Sequence, residues 1–202
     1  MAAMDNLTPH KFQVTRAQRE ALNNHKGLVI WFSGLSGSGK STIASALEQQ
    51  LHLQQMHTYS LDGDNIRLGI NRDLGFSTED RTENLRRIAE IAKLFADAGI
   101  VVLASFITPT EENRNQINSI IPAEDIVHIF VNCPLEVCEK RDVKGLYAKA
   151  RKGEIKNFTG IDAPFEAHQK PDITLHSHLF SVQQCVQQTL DYLHSTHKIR
   201  KS

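Results

Sequence analysis

The chain has 202 residues, 40% hydrophobic and 23% charged, an ordinary globular composition that excludes collagen-like, disordered and disulfide-scaffold classes. Its 23 basic and 23 acidic residues cancel to a formal net charge of zero. No polybasic field is present to attract nucleic acid or an anionic membrane, so neither is expected as a partner.

Residues 1–13 read as an N-terminal arm and 14–202 as one domain. Thr15 to Asn24 predicts a short polar helix capped by Thr15. Leu28 to Phe32 is a continuous apolar run, the pattern of a strand buried on both faces. Gly34 to Gly39 is glycine-rich. A helix follows from Lys40 to about Leu53, with Ile43, Ala44, Leu47 and Leu51 at helical spacing. His57 to Leu61 predicts a second strand, and Asp64 reads as the cap of a short helix beginning near Asn65.

Ser77 to Ala98 carries the longest helix signal. Ser77 and Asp80 form a capping pair, Gly99 occupies the C′ position, and Leu85, Ile88, Ala92 and Phe95 make the core stripe. Ile100 to Phe106 and Ile126 to Val131 predict two more strands, the latter followed by Pro134 at the start of a helix. Asp142 to Lys170 is rich in Lys, Gly and polar residues and reads as a mobile flap, within a lid at about 139–170. Asp172 to Leu175 is a weak fifth strand and Phe180 to Leu193 a closing helix. The alternation predicts an α/β fold, with a mostly parallel five-stranded sheet covered by helices on both faces.

Gly34-Leu35-Ser36-Gly37-Ser38-Gly39-Lys40-Ser41 fits G-x-x-x-x-G-K-[ST], between an apolar strand and an amphipathic helix. Glycines let backbone N–H groups turn around phosphate oxygens, and the helix N-terminus adds its positive dipole end. Lys40 supplies a charge to the terminal phosphates, the Ser41 hydroxyl suits Mg²⁺, and Thr42 extends the ATP-binding run. A switch GTPase needs a guanine-reading N-K-x-D, which the chain lacks; Asp142 to Gly145 matches D-x-x-G but falls after the wrong strand. A kinase of a small molecule is the better reading.

Asp62 and Asp64 follow the second strand. Carboxylates there can hold Mg²⁺ waters or take a proton from an acceptor hydroxyl, although a polar turn has the same composition. Asp62 and the phosphate loop are expected at the ends of neighbouring buried strands, at the sheet edge where α/β ligands bind. Arg81 and Asn84 lie three apart at the start of the long helix, hence on one face.

The run GLSGSGKST, then LDGDNIRLGINRDLGFSTEDRTENLRR, SFITP and CEKRDVKGLYAKARKGEIKNFTGIDAPFE resembles the adenylylsulfate kinase family over about Val14 to Glu166. The resemblance implies MgATP-dependent phosphorylation of adenosine 5′-phosphosulfate at its 3′-hydroxyl, giving 3′-phosphoadenylyl sulfate and ADP in sulfate assimilation. It implies Lys40, Asp62 and Arg141 as catalytic, with Ser41 and Asp62 serving Mg²⁺ through nucleotide and water. Acceptor-binding residues are then Asp64, Arg67, Phe76, Arg81, Asn84, Phe106, Ile107, Lys144, Phe158 and Thr159. Arg67 and Arg81 suit oxyanions, Phe76 and Phe158 offer rings to sandwich adenine, and Phe106 and Ile107 contribute backbone groups. The resemblance suggests a homodimer and leaves an association with ATP sulfurylase open. A kinase of another small nucleotide or alcohol, or a non-catalytic nucleotide-sensing module, is the alternative.

Three features depart from the family pattern. Thr108 stands where a serine, a phosphoenzyme residue in relatives, is usual; its hydroxyl keeps a phosphoryl-carrier route open, although direct in-line transfer needs none. Asn118 stands where a basic residue often follows Arg114 by four positions, and His168 to Pro171 lacks the usual proline-rich flap ending. His176 and His178 form an H-x-H without a completing ligand set, so no structural metal is expected. Cys133, Cys138 and Cys185 lack the spacing of a redox pair or disulfide framework and read as packing thiols. No apolar run reaches the roughly 18 residues of a membrane helix, and Met1 to Phe12 has no secretory core; a cytoplasmic location is expected.

Overall fold

The computed structural model describes residues 8–200; the first seven residues of the expected arm lie outside them. In chain order the elements are α1 (Arg16–Asn23), β1 (Leu28–Ser33), α2 (Lys40–Leu53), β2 (Thr58–Asp62), α3 (Gly63–Leu68), α4 (Thr78–Asp97), β3 (Val101–Ser105), α5 (Glu111–Ile120), β4 (Ile126–Val131), α6 (Leu135–Arg141), α7 (Leu146–Arg151), β5 (Ile173–Leu175) and α8 (Val182–Ser195). All five strands are parallel, in the order β2-β3-β1-β4-β5.

Every residue of β1 is buried, because its two faces point into two different cores. Leu28, Ile30 and Phe32 meet Ile43, Leu47 and Leu51 of α2 and Leu190 and Leu193 of α8. Val29 and Trp31 meet Leu85, Ile88 and Ala92 of α4 and Ile117 of α5. Each such side chain contributes roughly 1.5–3 kcal/mol of burial. At Gly27, just before β1, a Cβ would fall 1.9 Å from the Ala96 carbonyl oxygen, so only glycine lets β1 enter this close to the end of α4.

The helix caps follow the predicted chemistry. Thr15 and Gln18 form a reciprocal capping box on α1, and the Ser77 hydroxyl accepts from the Asp80 N–H on α4. Four expectations need correction. The short helix after β2 is capped by Asp62, whose carboxylate accepts from the Asp64 N–H, not by Asp64. β2 is a half-exposed edge strand rather than a buried one, and β3 separates it from β1. The stretch read as an irregular flap contains α7, which buries Tyr147 and Ala150. With Phe158, these join Leu35, Cys133 and Cys138 in a third apolar cluster over the phosphate loop. The fourth is α5, whose polar face and single fully apolar buried position, Ile117, hid it from the periodicity; its other buried residues are Asn113 and Arg114.

Candidate active site

The loop between β1 and α2 is held from outside. At Gly34, with φ at +143°, a Cβ would lie 2.6 Å from the Val131 carbonyl oxygen, and the Gly34 N–H donates to the Ile107 carbonyl at 3.2 Å. Tyr147 Oη donates to the Ser36 carbonyl at 2.9 Å. Arg141 Nη1 donates to the Gly37 and Ser38 carbonyls at 3.3 and 3.4 Å, and Ser177 Oγ donates to Ser38 at 2.6 Å. Three successive carbonyls are thus engaged outward. A peptide plane with its carbonyl outward turns its N–H inward, so these bonds aim the Gly37 and Gly39 N–H groups into the loop, fit for phosphate, while the Ser38 N–H donates to the Leu35 carbonyl at 3.2 Å. Neither Tyr147 nor Ser177 was among the expected site residues: the one belongs to an unrecognised helix, the other to the turn after a three-residue strand.

Gly39 caps α2 with φ at +98°, and Lys40 opens the helix. Lys40 is buried, and its Nζ donates to the Leu35 carbonyl at 2.7 Å. Burial pushes its ammonium down to about 8. Ser41 and Thr42 follow, exposed in the first turn of α2. Ser41 Oγ donates to Asp62 Oδ2 at 2.6 Å, while Asp62 Oδ1 accepts from the Asp64 N–H at 3.1 Å. A hydroxyl and a carboxylate in direct contact are hard oxygen donors beside a phosphate loop, a set that fits Mg²⁺.

A second cluster lies beyond Asp62. Arg67, at the end of α3, donates to the Gly75 carbonyl at 2.7 Å, and its guanidinium carbon sits 4.5 Å from the Phe76 ring centroid. Arg81, in the first turns of α4, donates to Thr159 Oγ1 at 3.0 Å and to the Asn157 carbonyl. Partial burial lowers both guanidinium pKa values, and the Arg81 charge adds to the lowering at Arg67. Two half-buried cations that repel each other create a demand for an anion between or beside them. Lys144 forms an exposed ion pair with Asp64. Phe76 is 65% exposed and offers an open ring face. Phe158 is nearly buried, its ring edge-on to Tyr147 with centroids 5.0 Å apart, so it is a wall of the third cluster rather than a free ring. Asn84 is buried on α4. Phe106 packs on Trp31 with centroids 5.6 Å apart.

Arg141 stands on the phosphate loop already, as the last residue of α6, with Nη2 donating to the Ser177 carbonyl at 2.8 Å. Within the expected lid, Arg141 is thus already seated on the loop. Thr108 is 1% exposed. Its Oγ1 accepts from the Trp31 indole N–H at 2.9 Å, and its carbonyl accepts from the buried Arg114 at 3.3 Å. Asn118 Oδ1 lies 2.7 Å from His128 Nε2, so the position where a basic residue is common here serves an uncharged contact. His168 stacks edge-on against His128 at 5.4 Å. All three cysteines are free and buried, and burial pushes the Cys138 thiol up to about 12, as packing thiols require. Among the described residues no helix is long and apolar enough to cross a membrane.

Comparison with known proteins agrees with this geometry. The family model described as adenylylsulphate kinase matches residues 26–176. The adenylyl-sulfate kinase of Lactiplantibacillus plantarum is 54% identical over 199 residues, covering 98% of this chain and 96% of that protein. The Mycobacterium tuberculosis APS kinase CysC, solved with AMPPNP and APS, superposes with a TM-score of 0.80 at 45% identity, covering 84% of this chain and 98% of that one. A hexameric APS kinase from Thiobacillus denitrificans matches with a TM-score of 0.67 at 26% identity, covering 91% of this chain and 32% of that one. The chain belongs to the adenylylsulphate kinase family.

Proposed function

We propose that this enzyme transfers the γ-phosphoryl group of ATP to the 3′-hydroxyl of adenosine 5′-phosphosulfate, releasing ADP and 3′-phosphoadenylyl sulfate. The observation that carries the reading is the Arg67–Arg81 pair, with the open Phe76 ring beside Arg67. Asp62, which precedes both arginines in the chain, accepts from Ser41 beside the phosphate loop. Two guanidiniums suit a phosphosulfate dianion, and ring stacking on adenine contributes roughly 1–3 kcal/mol.

Each residue then has a physical task. The N–H groups of Gly37 and Gly39, with those of Lys40, Ser41 and Thr42 in the first turn of α2, bind the ATP phosphates. Lys40 regains its full positive charge beside them and stabilises charge on the transferring group. Asp62 orients the acceptor hydroxyl and takes its proton late in an in-line transfer. Ser41 and Asp62 would hold Mg²⁺, which when bound neutralises phosphate charge. Arg141 holds the loop from the ATP side. Lys144 exchanges its Asp64 partner for the acceptor anion as the lid at 139–170 closes, and Thr159 positions Arg81. Phe106 and Ile107 line the acceptor pocket through their backbone, and Phe158 backs it. The buried, indole-bound hydroxyl of Thr108 supports direct transfer over a phosphothreonine. The hexameric relative supports self-association, with a homodimer as the simplest form, and the balanced charge is in keeping with a cytoplasmic enzyme.

ADP release in the presence of adenosine 5′-phosphosulfate, AMP or a sugar acid tests the substrate. The reading expects release only with the phosphosulfate. Release with the sugar acid and none with the phosphosulfate would overturn it.

A further inference from the structure

Asn71 is fully buried and lies in the turn after α3. Its N–H donates to the Ile66 carbonyl at 3.0 Å, and its carbonyl accepts from the Leu74 N–H at 3.1 Å. Its side-chain nitrogen donates to Asn84 Oδ1 at 3.0 Å. Asn84 is itself only 5% exposed. Two apolar residues would fill the same space without the cost of desolvating two amides, so the pair has a reason beyond packing.

A primary amide has one accepting end and one donating end. Asn71 occupies the accepting end of Asn84. Among the described residues Asn84 Nδ2 finds no protein acceptor, yet it is not sealed away as Asn71 Oδ1 is. The direction of the bond follows from what each arrangement strands inside. As observed, one carbonyl oxygen is left without a partner. The reverse would strand the two N–H donors of Asn71, and buried N–H groups without acceptors are rarer than under-satisfied oxygens. Asn84 lies one turn after Arg81 on α4, and the turn that Asn71 braces ends at Gly75, whose carbonyl holds Arg67. The free donors of Asn84 are therefore set beside the paired guanidiniums.

We propose that Asn71 is a positioning residue that locks the Asn84 amide with its N–H donors toward the acceptor, so that this subsite takes an oxyanion or another accepting oxygen and rejects a donor. The inference rests on the acceptor reading of the Arg67–Arg81 pocket.

Asn71→Asp tests it with almost no change of shape. While protonated, the new carboxyl still donates to Asn84 Oδ1. Once ionised it can only accept, and Asn84 must turn its N–H groups inward and present Oδ1 to the acceptor anion. Burial raises a carboxyl pKa, which brings this change into the range of assay. The acceptor KM of Asn71→Asp, divided by the wild-type value at each pH, should be close to one in acid and rise at least about tenfold with pH. The same ratio for the ATP KM should stay flat. A loss that is independent of pH and shared by kcat and both KM values would overturn the proposal.

A second pair of variants holds even where Asn71→Asp fails to fold. Asn84→Asp still accepts from Asn71 but presents an anionic oxygen to the acceptor, whereas Asn84→Ala presents nothing. The acceptor KM should be at least about tenfold higher for Asn84→Asp than for Asn84→Ala. An equal or lower value would overturn the orientation. An acceptor KM unchanged in both, in an enzyme that still phosphorylates adenosine 5′-phosphosulfate, would overturn the placement of Asn84 while sparing the proposed activity.

Discussion

The Ser41 hydroxyl donates to Asp62 Oδ2 across 2.6 Å, although β3 separates the strands that lead to these two residues. The contact exists because α2 runs back across β3 from the phosphate loop and packs on β2 as well as on β1. In the proposed function, the nucleotide side and the acceptor side of the site are joined at this bond.

Lys40 links ATP binding to protons. Its ammonium is pushed down to about 8 by burial, so near pH 8 about half of the free enzyme carries a neutral lysine. Anionic phosphates favour the charged form, hence binding at pH 8 should take up about half a proton and weaken as pH rises further. Calorimetry in buffers of different ionisation enthalpy measures the uptake. Lys40→Met should abolish it, and lower kcat by at least about a hundredfold.

Asp62→Asn should reduce kcat strongly while the fold survives, because the amide cannot take the acceptor proton. Thr108→Val keeps the shape and removes the hydroxyl. It leaves the Trp31 indole N–H without its partner, which should cost about 1–3 kcal/mol of stability, read as a lower denaturation midpoint. Its kcat should stay within about tenfold of wild type, since in-line transfer needs no carrier. Rapid-quench trapping of labelled phosphate on Thr108 at the rate of turnover would contradict this.

Tyr147→Phe removes the bond to the Ser36 carbonyl. A hydrogen bond of about 1 kcal/mol corresponds to roughly a fivefold weaker ATP Kd. Equilibrium binding should show that loss for ATP and little change for the acceptor.

How much of this was legible in the sequence depended on the range of the interaction. β1, α2, α4 and β4 declared themselves through local periodicity, and Thr15, Ser77 and Gly99 marked helix ends by chemistry that acts within four residues. The phosphate loop was legible for the same reason, since its spacing is set by one turn of backbone. Tyr147 and Ser177 were not, because their partners lie 111 and 139 residues away. The order of β2 and β3 escaped because it is decided by a crossover that no local pattern encodes. Arg67, Phe76 and Arg81 were reached through the family resemblance. Asn71 sits inside the same quoted motif, but only its buried contact with Asn84 distinguishes it from an ordinary turn residue.

His128 makes stability depend on pH. It is pushed down to about 4 by burial first, then by His168, with Arg114 adding to the lowering and Asp172 opposing it. Unfolded, its pKa is near 6.5. Below that value the unfolded chain takes a proton that the folded protein refuses until about pH 4. The contribution is therefore complete above pH 6.5 and is lost progressively as pH falls from 6.5 to 4, by up to about 3 kcal/mol. Urea midpoints across that window should fall for the wild type and flatten for His128→Gln, which removes the titrating ring.

The central claim is transfer from ATP to one oxygen of one acceptor. Purified enzyme given ATP labelled in the γ-phosphate, adenosine 5′-phosphosulfate and Mg²⁺ should place the label on the acceptor 3′-oxygen, with removal by a 3′-specific nucleotidase and one ADP formed for each label transferred. Label appearing only as inorganic phosphate, or on any other position of the acceptor, would contradict the account.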